Sequence, residues 1–283
     1  MKALLILLCV SFTATAGLFN LVPWGDWRPP RPESLLVWVR AECVGNGTNF
    51  DTGYAVTRWP DWSSNRWHFT NGNATLHPLL SNSVGVNPLI FPTRKVMTRS
   101  GAFFNVDTNI FFGRSNAEMM VVIRDFQDPS PNEGSAFNGV WCWGVQTPTV
   151  IGASFVNYFN DQKIYETFFT TVRRDSITPG VNMSNTFRLY NVMSASSNTT
   201  SISNFVVRLD TTPIYADSTN VFGARAATLV ADRYMFGAGR DTGGGPYSRV
   251  EFCEVILWSV VLTDNERRNV QNHLKQKWHL KGY

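Results

Sequence analysis

Short apolar runs separated by turn-forming residues recur along most of this chain, and this pattern constrains the fold more than any other feature. The run 35–39, Leu-Leu-Val-Trp-Val, combines β-branched and aromatic residues as a buried strand requires. Similar runs occupy residues 103–106, 119–123, 140–145, 164–172, 186–192, 205–209, 234–236 and 252–261. Clusters such as Asn71-Gly72-Asn73 lie between the runs and favour turns. The pattern predicts an all-β fold, a two-sheet antiparallel sandwich of which the jelly roll is one form.

One helix is predicted, near the C-terminal end. Residues 263–266, Thr-Asp-Asn-Glu, form a capping box, in which the threonine hydroxyl and the glutamate carboxylate each accept a backbone N–H of the other residue. Val270, Leu274 and Trp278 recur every four residues and make one apolar stripe. We therefore expect an amphipathic helix that packs against the β-domain.

Residues 1–16 have the pattern of a secretory signal peptide. Lys2 is followed by an apolar run and then by Thr13-Ala14-Thr15-Ala16, a small-x-small site. The pattern predicts cleavage after Ala16 and a secreted protein; the alternative is a buried N-terminal strand or helix. The run is shorter than the roughly 20 residues of a membrane-spanning helix. Residues 17–33 are predicted to be an extended segment rich in proline and tryptophan, and residues 34–283 one β-domain.

Charge, aromatic content and cysteine content narrow the class of protein. The formal net charge is +4 and 13% of the residues are aromatic, which argues against a nucleic-acid-binding protein and excludes a disordered chain. Beyond the predicted leader lie Cys43, Cys142 and Cys253, and no Cys-x-x-Cys pair is present. A disulfide between Cys43 and Cys253 is predicted if the first and last strands are neighbours. The alternative is that all three are small buried hydrophobic residues.

Two stretches at the ends of the predicted β-domain resemble a known family. The first is residues 36–42, Leu-Val-Trp-Val-Arg-Ala-Glu, with residues 59–65, Trp-Pro-Asp-Trp-Ser-Ser-Asn. The second is residues 250–258, Val-Glu-Phe-Cys-Glu-Val-Ile-Leu-Trp, followed by the capping box and residues 274–280, Leu-Lys-Gln-Lys-Trp-His-Leu. Together they resemble the concanavalin A-like lectin/glucanase superfamily in its laminin G-like form. Ser64 and His279 stand where that family usually has glycine.

The resemblance implies a jelly-roll sandwich whose first and last strands lie close together, and a role in carbohydrate binding, adhesion or scaffolding. The hydrolases of that superfamily carry a Glu-x-Asp-x-x-Glu motif on one strand. This chain lacks the motif, so the resemblance does not imply hydrolase activity. Glu251 and Glu254 are three residues apart, so a regular strand directs them to opposite faces. We expect a solvated Glu251 and a structural Glu254. No Gly-x-Ser-x-Gly or His-x-x-x-His motif is present either, so no catalytic residue is predicted.

Aromatic residues in a polar, turn-rich stretch are the candidates for ligand binding. Tryptophan rings stack on the C–H faces of sugars, and polar side chains hydrogen-bond the hydroxyl groups. Trp62 and Trp67, with Asn65 and Arg66 between them, are predicted to form such a surface. The resemblance implies that their neighbours Trp59 and Asp61 are structural, with Trp59 in the core and Asp61 bound to loop amides.

Two further candidates are left open by the sequence. Trp141 and Trp143 alternate around Cys142, so they lie on one side of a strand and either line a groove or belong to the core. Related lectin-like domains often hold calcium, and loop oxygens suited to that ion are available. The residues that could contribute are Asp61, Asn65, Asp210 and Asp241.

The sequence thus predicts a secreted, non-catalytic, lectin-like module that binds a glycan or another component of a cell surface or particle. One alternative is a structural protein of an envelope, appendage or virus-like particle with the same fold. A second alternative is a divergent polysaccharide hydrolase.

Overall fold

The computed structural model describes residues 27–44, 55–72, 77–80, 88–91, 104–106, 110, 114, 116–126, 139–144, 155–158, 163–166, 168, 174–181, 183, 186–195, 204–217, 233–236 and 249–280. The strands in these ranges are Leu35–Arg40 (β1), Arg58–Trp59 (β2), Phe69–Thr70 (β3), Leu79–Leu80 (β4), Leu89–Phe91 (β5), Phe104–Asn105 (β6), Ala117–Phe126 (β7), Gly139–Gly144 (β8), Phe155–Tyr158 (β9), Ile164–Glu166 (β10), Arg174–Ile177 (β11), Arg188–Ala195 (β12), Asn204–Leu209 (β13), Thr212–Asp217 (β14), Arg233–Phe236 (β15) and Arg249–Trp258 (β16). The α-helix is Asp264–Lys277 (α1). The described chain is therefore mostly β, with a C-terminal helix, as predicted.

The strands form two eight-stranded antiparallel sheets. The first sheet has the order β14-β13-β12-β7-β16-β5-β4, with β1 also on β16, and the second has the order β11-β10-β9-β8-β15-β6-β3-β2. Side chains of the two sheets meet in one core. The ring of Trp59 on β2 lies 5.9 Å from that of Phe252 on β16. The Tyr190 hydroxyl of β12 donates to Glu166 of β10 at 2.5 Å, so a buried hydrogen bond also joins the sheets.

Strand β16 brings the beginning and the end of the β-domain together. One edge of β16 pairs with β7 over its whole length. The other edge pairs with β5 at residues 250–252 and then with β1 at residues 254–258. This antiparallel pairing of β1 with β16 confirms that the first and last strands are neighbours.

A register shift between Phe252 and Glu254 changes which face the carboxylates of β16 occupy. Glu251 pairs with Arg124 of β7 and Glu254 pairs with Val122, so the two glutamates lie on the same face of the sheet. The prediction of opposite faces is therefore wrong. Glu251 is also not solvated, because it is 2% exposed and its carboxylate lies 2.5 Å from the Arg124 guanidinium.

The helix begins at the predicted capping box. The Thr263 hydroxyl accepts from the N–H of Glu266 at 3.3 Å, and the Glu266 carboxylate accepts from the N–H of Thr263 at 2.9 Å. Leu274 of the apolar stripe is fully buried in the core. Arg267 donates to Glu118 of β7 at 2.6 Å, so a buried ion pair accompanies the apolar contacts of the helix.

A second buried carboxylate joins α1 to both β1 and β16. Glu254 is 0% exposed, and its Oε2 lies 2.6 Å from Lys277 Nζ and 2.9 Å from the Trp278 indole nitrogen. Its Oε1 accepts from the Trp38 indole of β1 at 2.7 Å. Burial raises the pKa of Glu254, but the Lys277 ammonium and the indole donors outweigh that effect and lower it. Glu254 thus stays ionised and has the structural role predicted for it.

The predicted disulfide between Cys43 and Cys253 does not form, and both thiols are free. Strand β1 ends at Arg40, which pairs with Glu254, and the chain then turns into a short 3₁₀-helix over Ala41–Cys43. Continued by one residue, this register would place Ala41, and not Cys43, opposite Cys253, and the 3₁₀-helix takes Cys43 out of the strand. Burial raises the pKa of Cys43 to about 11, so its thiol stays protonated. The side chain of Cys142 lies outside the described residues.

The helix ends on a non-glycine residue in the left-handed conformation. His279, directly after the cap Trp278, has a φ of 49°. Its N–H donates to the Gln276 carbonyl at 3.4 Å, and the N–H of Leu280 donates to the Lys275 carbonyl at 3.1 Å. These are the paired hydrogen bonds of a Schellman motif, in which glycine is the usual residue because it lacks Cβ.

The predicted signal peptide lies outside the described residues, and the proline- and tryptophan-rich segment is described only from Trp27 onward. Within the described ranges, no helix combines the length and the hydropathy that a membrane span requires.

Replacing Glu254 with glutamine is expected to lower the free energy of unfolding by about 3 kcal/mol, because the buried ammonium of Lys277 loses one of its two carboxylate partners. Chemical denaturation measures the change. Glu33→Gln is the control at an exposed carboxylate and should change the value by less than about 0.5 kcal/mol. A loss no larger than the control's would contradict the anchoring role of Glu254.

Replacing His279 with glycine is expected to raise the free energy of unfolding by about 1 kcal/mol, because the left-handed conformation is costly for a residue with Cβ. His279→Ala is the matched control, since it removes the imidazole and keeps Cβ. Denaturation should show no stabilisation by alanine. Equal gains from both variants would assign the effect to loss of the imidazole instead.

Candidate functional site

The turn over residues 60–68 carries the predicted ligand residues, and a buried aspartate holds it in place. Asp61 Oδ1 accepts from the N–H of Trp38 at 2.8 Å and of Ser63 at 2.9 Å. Its Oδ2 accepts from the Ser63 hydroxyl at 2.7 Å and from the N–H of Trp67 at 2.9 Å. The Trp59 side chain is fully buried in the core. These contacts confirm the structural roles expected for Trp59 and Asp61.

Trp62 is the exposed aromatic residue of this turn. Its exposed fraction is 38%, and Val181, at 41%, is the other exposed large hydrophobic residue in the described ranges. The guanidinium carbon of Arg40 lies 5.0 Å from the Trp62 ring and 4.6 Å from the Trp38 ring. That of Arg66 lies 6.0 Å from the Trp62 ring. Cation–π contacts therefore support an indole that solvent can still reach.

The other predicted residues of the turn have different positions. Asn65 is exposed, and its amide nitrogen donates to the carbonyls of Leu35 at 3.1 Å and Leu36 at 3.0 Å, which fastens the turn to β1. Arg66 is exposed and has a φ of 56°. Trp67 is half-buried and packs against the core. The structure thus brings Trp62, Asn65 and Arg66 to one exposed turn, with Trp67 beneath it.

The tryptophans of β8 do not extend this turn. Trp141 is fully buried, and its ring lies 5.4 Å from that of Tyr190 in the core. A ligand cannot reach it, so the structure removes Trp141 from the candidate ligand residues. The side chain of Trp143 lies outside the described part of the chain.

The oxygens suggested for calcium make other contacts. The Asp61 carboxylate accepts from the amides and the hydroxyl of its own turn, and Asp210 lies 2.7 Å from the Arg188 guanidinium. Asp241 lies outside the described residues. Among the residues that are described, no three His, Cys, Asp or Glu side chains are grouped as a metal ion would require. Calcium binding stays a prediction.

A groove that the sequence analysis missed lies on a different part of the surface. It has a volume of about 470 Å³, within the range of small-molecule sites. The lining includes Val181, Arg188, Asp210, Thr211, Ile214 and Lys275. These residues come from distant parts of the chain, so no spacing in the sequence marks the groove.

A stacked pair of rings joins the N-terminal segment to the helix. The ring of His273 on α1 lies 3.7 Å from that of Trp27, with an angle of 3° between the planes. Burial lowers the pKa of His273 to about 4; the positive charges of Lys277 and Arg40 add to this effect, and Glu254 opposes it. The imidazole is therefore neutral at pH 7.

No family model and no curated protein matches the chain. Solved structures do match. A sialidase from Trypanosoma rangeli in complex with sialic acid aligns with a TM-score of 0.58 and 15% identity over 88% of this chain and 34% of its own. The binding domain of Paraclostridial Mosquitocidal Protein 1 aligns with a TM-score of 0.56 and 9% identity over 85% of this chain and 52% of its own.

The binding domain of botulinum neurotoxin DC in complex with SialylT also matches, with a TM-score of 0.52 and 9% identity over 86% of this chain and 52% of its own. The chain thus spans about a third of the sialidase and about half of each toxin chain. At such low identities the similarity concerns the fold, which is a β-rich fold shared with part of these proteins.

Acid is expected to destabilise the folded protein through His273. The ordinary histidine pKa is about 6.5, so between that value and about 4 the unfolded chain binds a proton that the folded chain does not. The stability associated with neutral His273 is complete above about pH 6.5 and decreases as the pH falls towards 4. Denaturation at several pH values should show a weaker pH dependence in His273→Gln. A pH dependence equal to that of the wild type would contradict the assignment.

Proposed function

We propose that this chain is a secreted, non-catalytic, lectin-like module that binds carbohydrate through the Trp62 surface, defined as the exposed Trp62 with Arg40, Asn65 and Arg66. The observation that carries the proposal is the exposed indole on a turn fixed by Asp61. An indole that is already ordered loses little conformational entropy when a sugar ring stacks on it. Arg66 beside it offers N–H donors for sugar hydroxyls.

The fold that we propose is the concanavalin A-like jelly-roll sandwich. Two antiparallel sheets share one core, β1 lies beside β16, and a capped helix follows β16. These features match what the terminal motifs lead us to expect. They support the family proposal together with the motifs, while the similarity to solved structures supports a β-rich fold.

The structural neighbours favour a carbohydrate ligand over other surface ligands. One is a sialidase in complex with sialic acid and another is a toxin binding domain in complex with SialylT. Because this chain spans only part of each, the catalytic activity of the sialidase is not assigned to it.

The non-catalytic part of the proposal rests on the carboxylates of β16. Glu251 is ion-paired with Arg124 and Glu254 with Lys277, and both glutamates are buried. A retaining glycosidase needs two accessible carboxyl groups about 5–5.5 Å apart, one of them able to give up a proton. Carboxylates that are buried and neutralised by cations are poor candidates for that role. Hydrolysis of a bound sugar by the wild-type chain would overturn this part.

The Trp62→Ala variant is expected to bind its glycan about tenfold more weakly than the wild type, because an aromatic contact contributes about 0.5–1.5 kcal/mol beyond the area that it buries. A glycan array of the wild-type chain identifies the sugar, and titration calorimetry with that sugar measures the loss. Trp62→Phe retains a ring and should lose less affinity than Trp62→Ala.

Asn204→Ala is the control, because Asn204 is exposed and belongs neither to the Trp62 surface nor to the groove beside Arg188. It should leave binding at the Trp62 surface unchanged. Absence of binding to every glycan, or equal affinity of Trp62→Ala and wild type, would contradict the proposal. Release of reducing sugar from a bound polysaccharide would support the hydrolase alternative, and stable self-assembly without sugar binding would support the scaffold alternative.

A further inference from the structure

The groove beside Arg188 combines an apolar wall with a positively charged end. Val181 and Ile214 contribute apolar surface, and Val181 is exposed. The charged residues of the lining are Arg188, Lys275 and Asp210, so cations outnumber the carboxylate. A concave site with this composition suits a small molecule that has one apolar face and one negative charge.

Arg188 is held in one position and retains donors for a ligand. Its Nη1 donates to Asp210 Oδ2 at 2.7 Å, and Asp210 Oδ1 accepts from the N–H of Leu189 at 3.1 Å. Asp210 is the one described residue that accepts a hydrogen bond from the Arg188 guanidinium, and the buried Nε has no partner. A guanidinium has five N–H donors in a planar fork that matches a carboxylate. Among the described residues, this guanidinium is thus fixed by one carboxylate, and its Nη groups retain N–H donors for a ligand.

The turn that carries Asp210 is maintained in an unfavourable conformation. Asp210 and Thr211, between β13 and β14, have φ values of 54° and 78°. A two-residue hairpin turn with both φ values positive normally contains glycine, and a β-branched residue such as Thr211 is rare there. The N–H of Asp210 donates to the Leu189 carbonyl at 2.8 Å, which ties the turn to β12. Backbone strain of this kind is concentrated at functional sites.

We propose that this groove is a second ligand site, separate from the Trp62 surface, and that it takes an acidic sugar of monosaccharide size. The carboxylate of the sugar pairs with Arg188, and Lys275 adds positive charge. A C–H face of the ring packs on Val181 and Ile214, and the Thr211 hydroxyl is available to a sugar hydroxyl. The acidic sugar is a class of carbohydrate and so rests on the proposed function. The groove that would hold it shares no residue with the Trp62 surface.

The test compares glucuronate with glucose, which share a ring and differ in the carboxylate. Titration followed by backbone amide chemical shifts reports the site directly, through the amides of Gly180, Val181 and Thr211. We expect glucuronate to shift these amides in a saturable manner and to bind at least about tenfold more tightly than glucose, because only glucuronate forms the charge-assisted pair. Affinity should decrease as the salt concentration rises.

The matched variants are Val181→Asp and Val181→Asn, which place a negative and a neutral side chain of the same shape on the rim. Val181 is exposed, so both variants should fold, and thermal unfolding checks this. Val181→Asp should weaken glucuronate binding at least about tenfold through like-charge repulsion, and Val181→Asn should weaken it less than about threefold. Trp62→Ala should leave it unchanged, which separates this inference from the Trp62 surface.

Several outcomes would overturn the inference. Equal affinities for glucuronate and glucose would remove the role of Arg188. Equal affinities for glucuronate and inorganic sulfate would make the groove a simple anion site without sugar recognition. Equal binding by Val181→Asp and Val181→Asn, or amide shifts confined to the Trp62 surface, would place the ligand elsewhere.

Discussion

The buried carboxylate of Glu254 on β16 connects the helix that follows this strand with β1, which lies more than two hundred residues earlier in the sequence. It accepts from Trp38 on β1 and from Trp278 after α1, and it is paired with Lys277. A buried charge is unfavourable unless its oxygens are paired and hydrogen-bonded, so each of these partners must stay in place. This requirement fixes the pairing of β1 with β16 and the position of the helix at the same time.

The Trp62 surface depends on the same strand. Arg40 is the register partner of Glu254 and lies between the Trp38 and Trp62 rings. The backbone N–H of Trp38 donates to Asp61, which organises the turn that carries Trp62. Ordered contacts therefore extend from the buried ion pair to the exposed indole, and a ligand would meet a preorganised surface.

Features set by neighbouring residues were predictable, and features set by long-range register were not. The predicted strand runs and the capping box depend on residues within a few positions, and both were found, whereas the role of Asp61 was expected from the family resemblance. The same-face placement of Glu251 and Glu254 depends on a bulge, which strand alternation does not reveal. The disulfide expected between Cys43 and Cys253 failed because the register that sets Arg40 opposite Glu254 would bring Ala41 to Cys253, and the chain then turns into a 3₁₀-helix.

By itself the sequence determined that this chain forms β-strands with one capped C-terminal helix, because apolar periodicity and capping chemistry act over a few residues. It also determined that Trp62 lies in a polar turn. Only the tertiary structure decided that Trp141 is buried while Trp62 is exposed, and that Arg188, Asp210 and Lys275 line one groove. Burial and proximity result from how two sheets and a helix pack together, and the packing partners of each residue lie tens to hundreds of positions away along the chain.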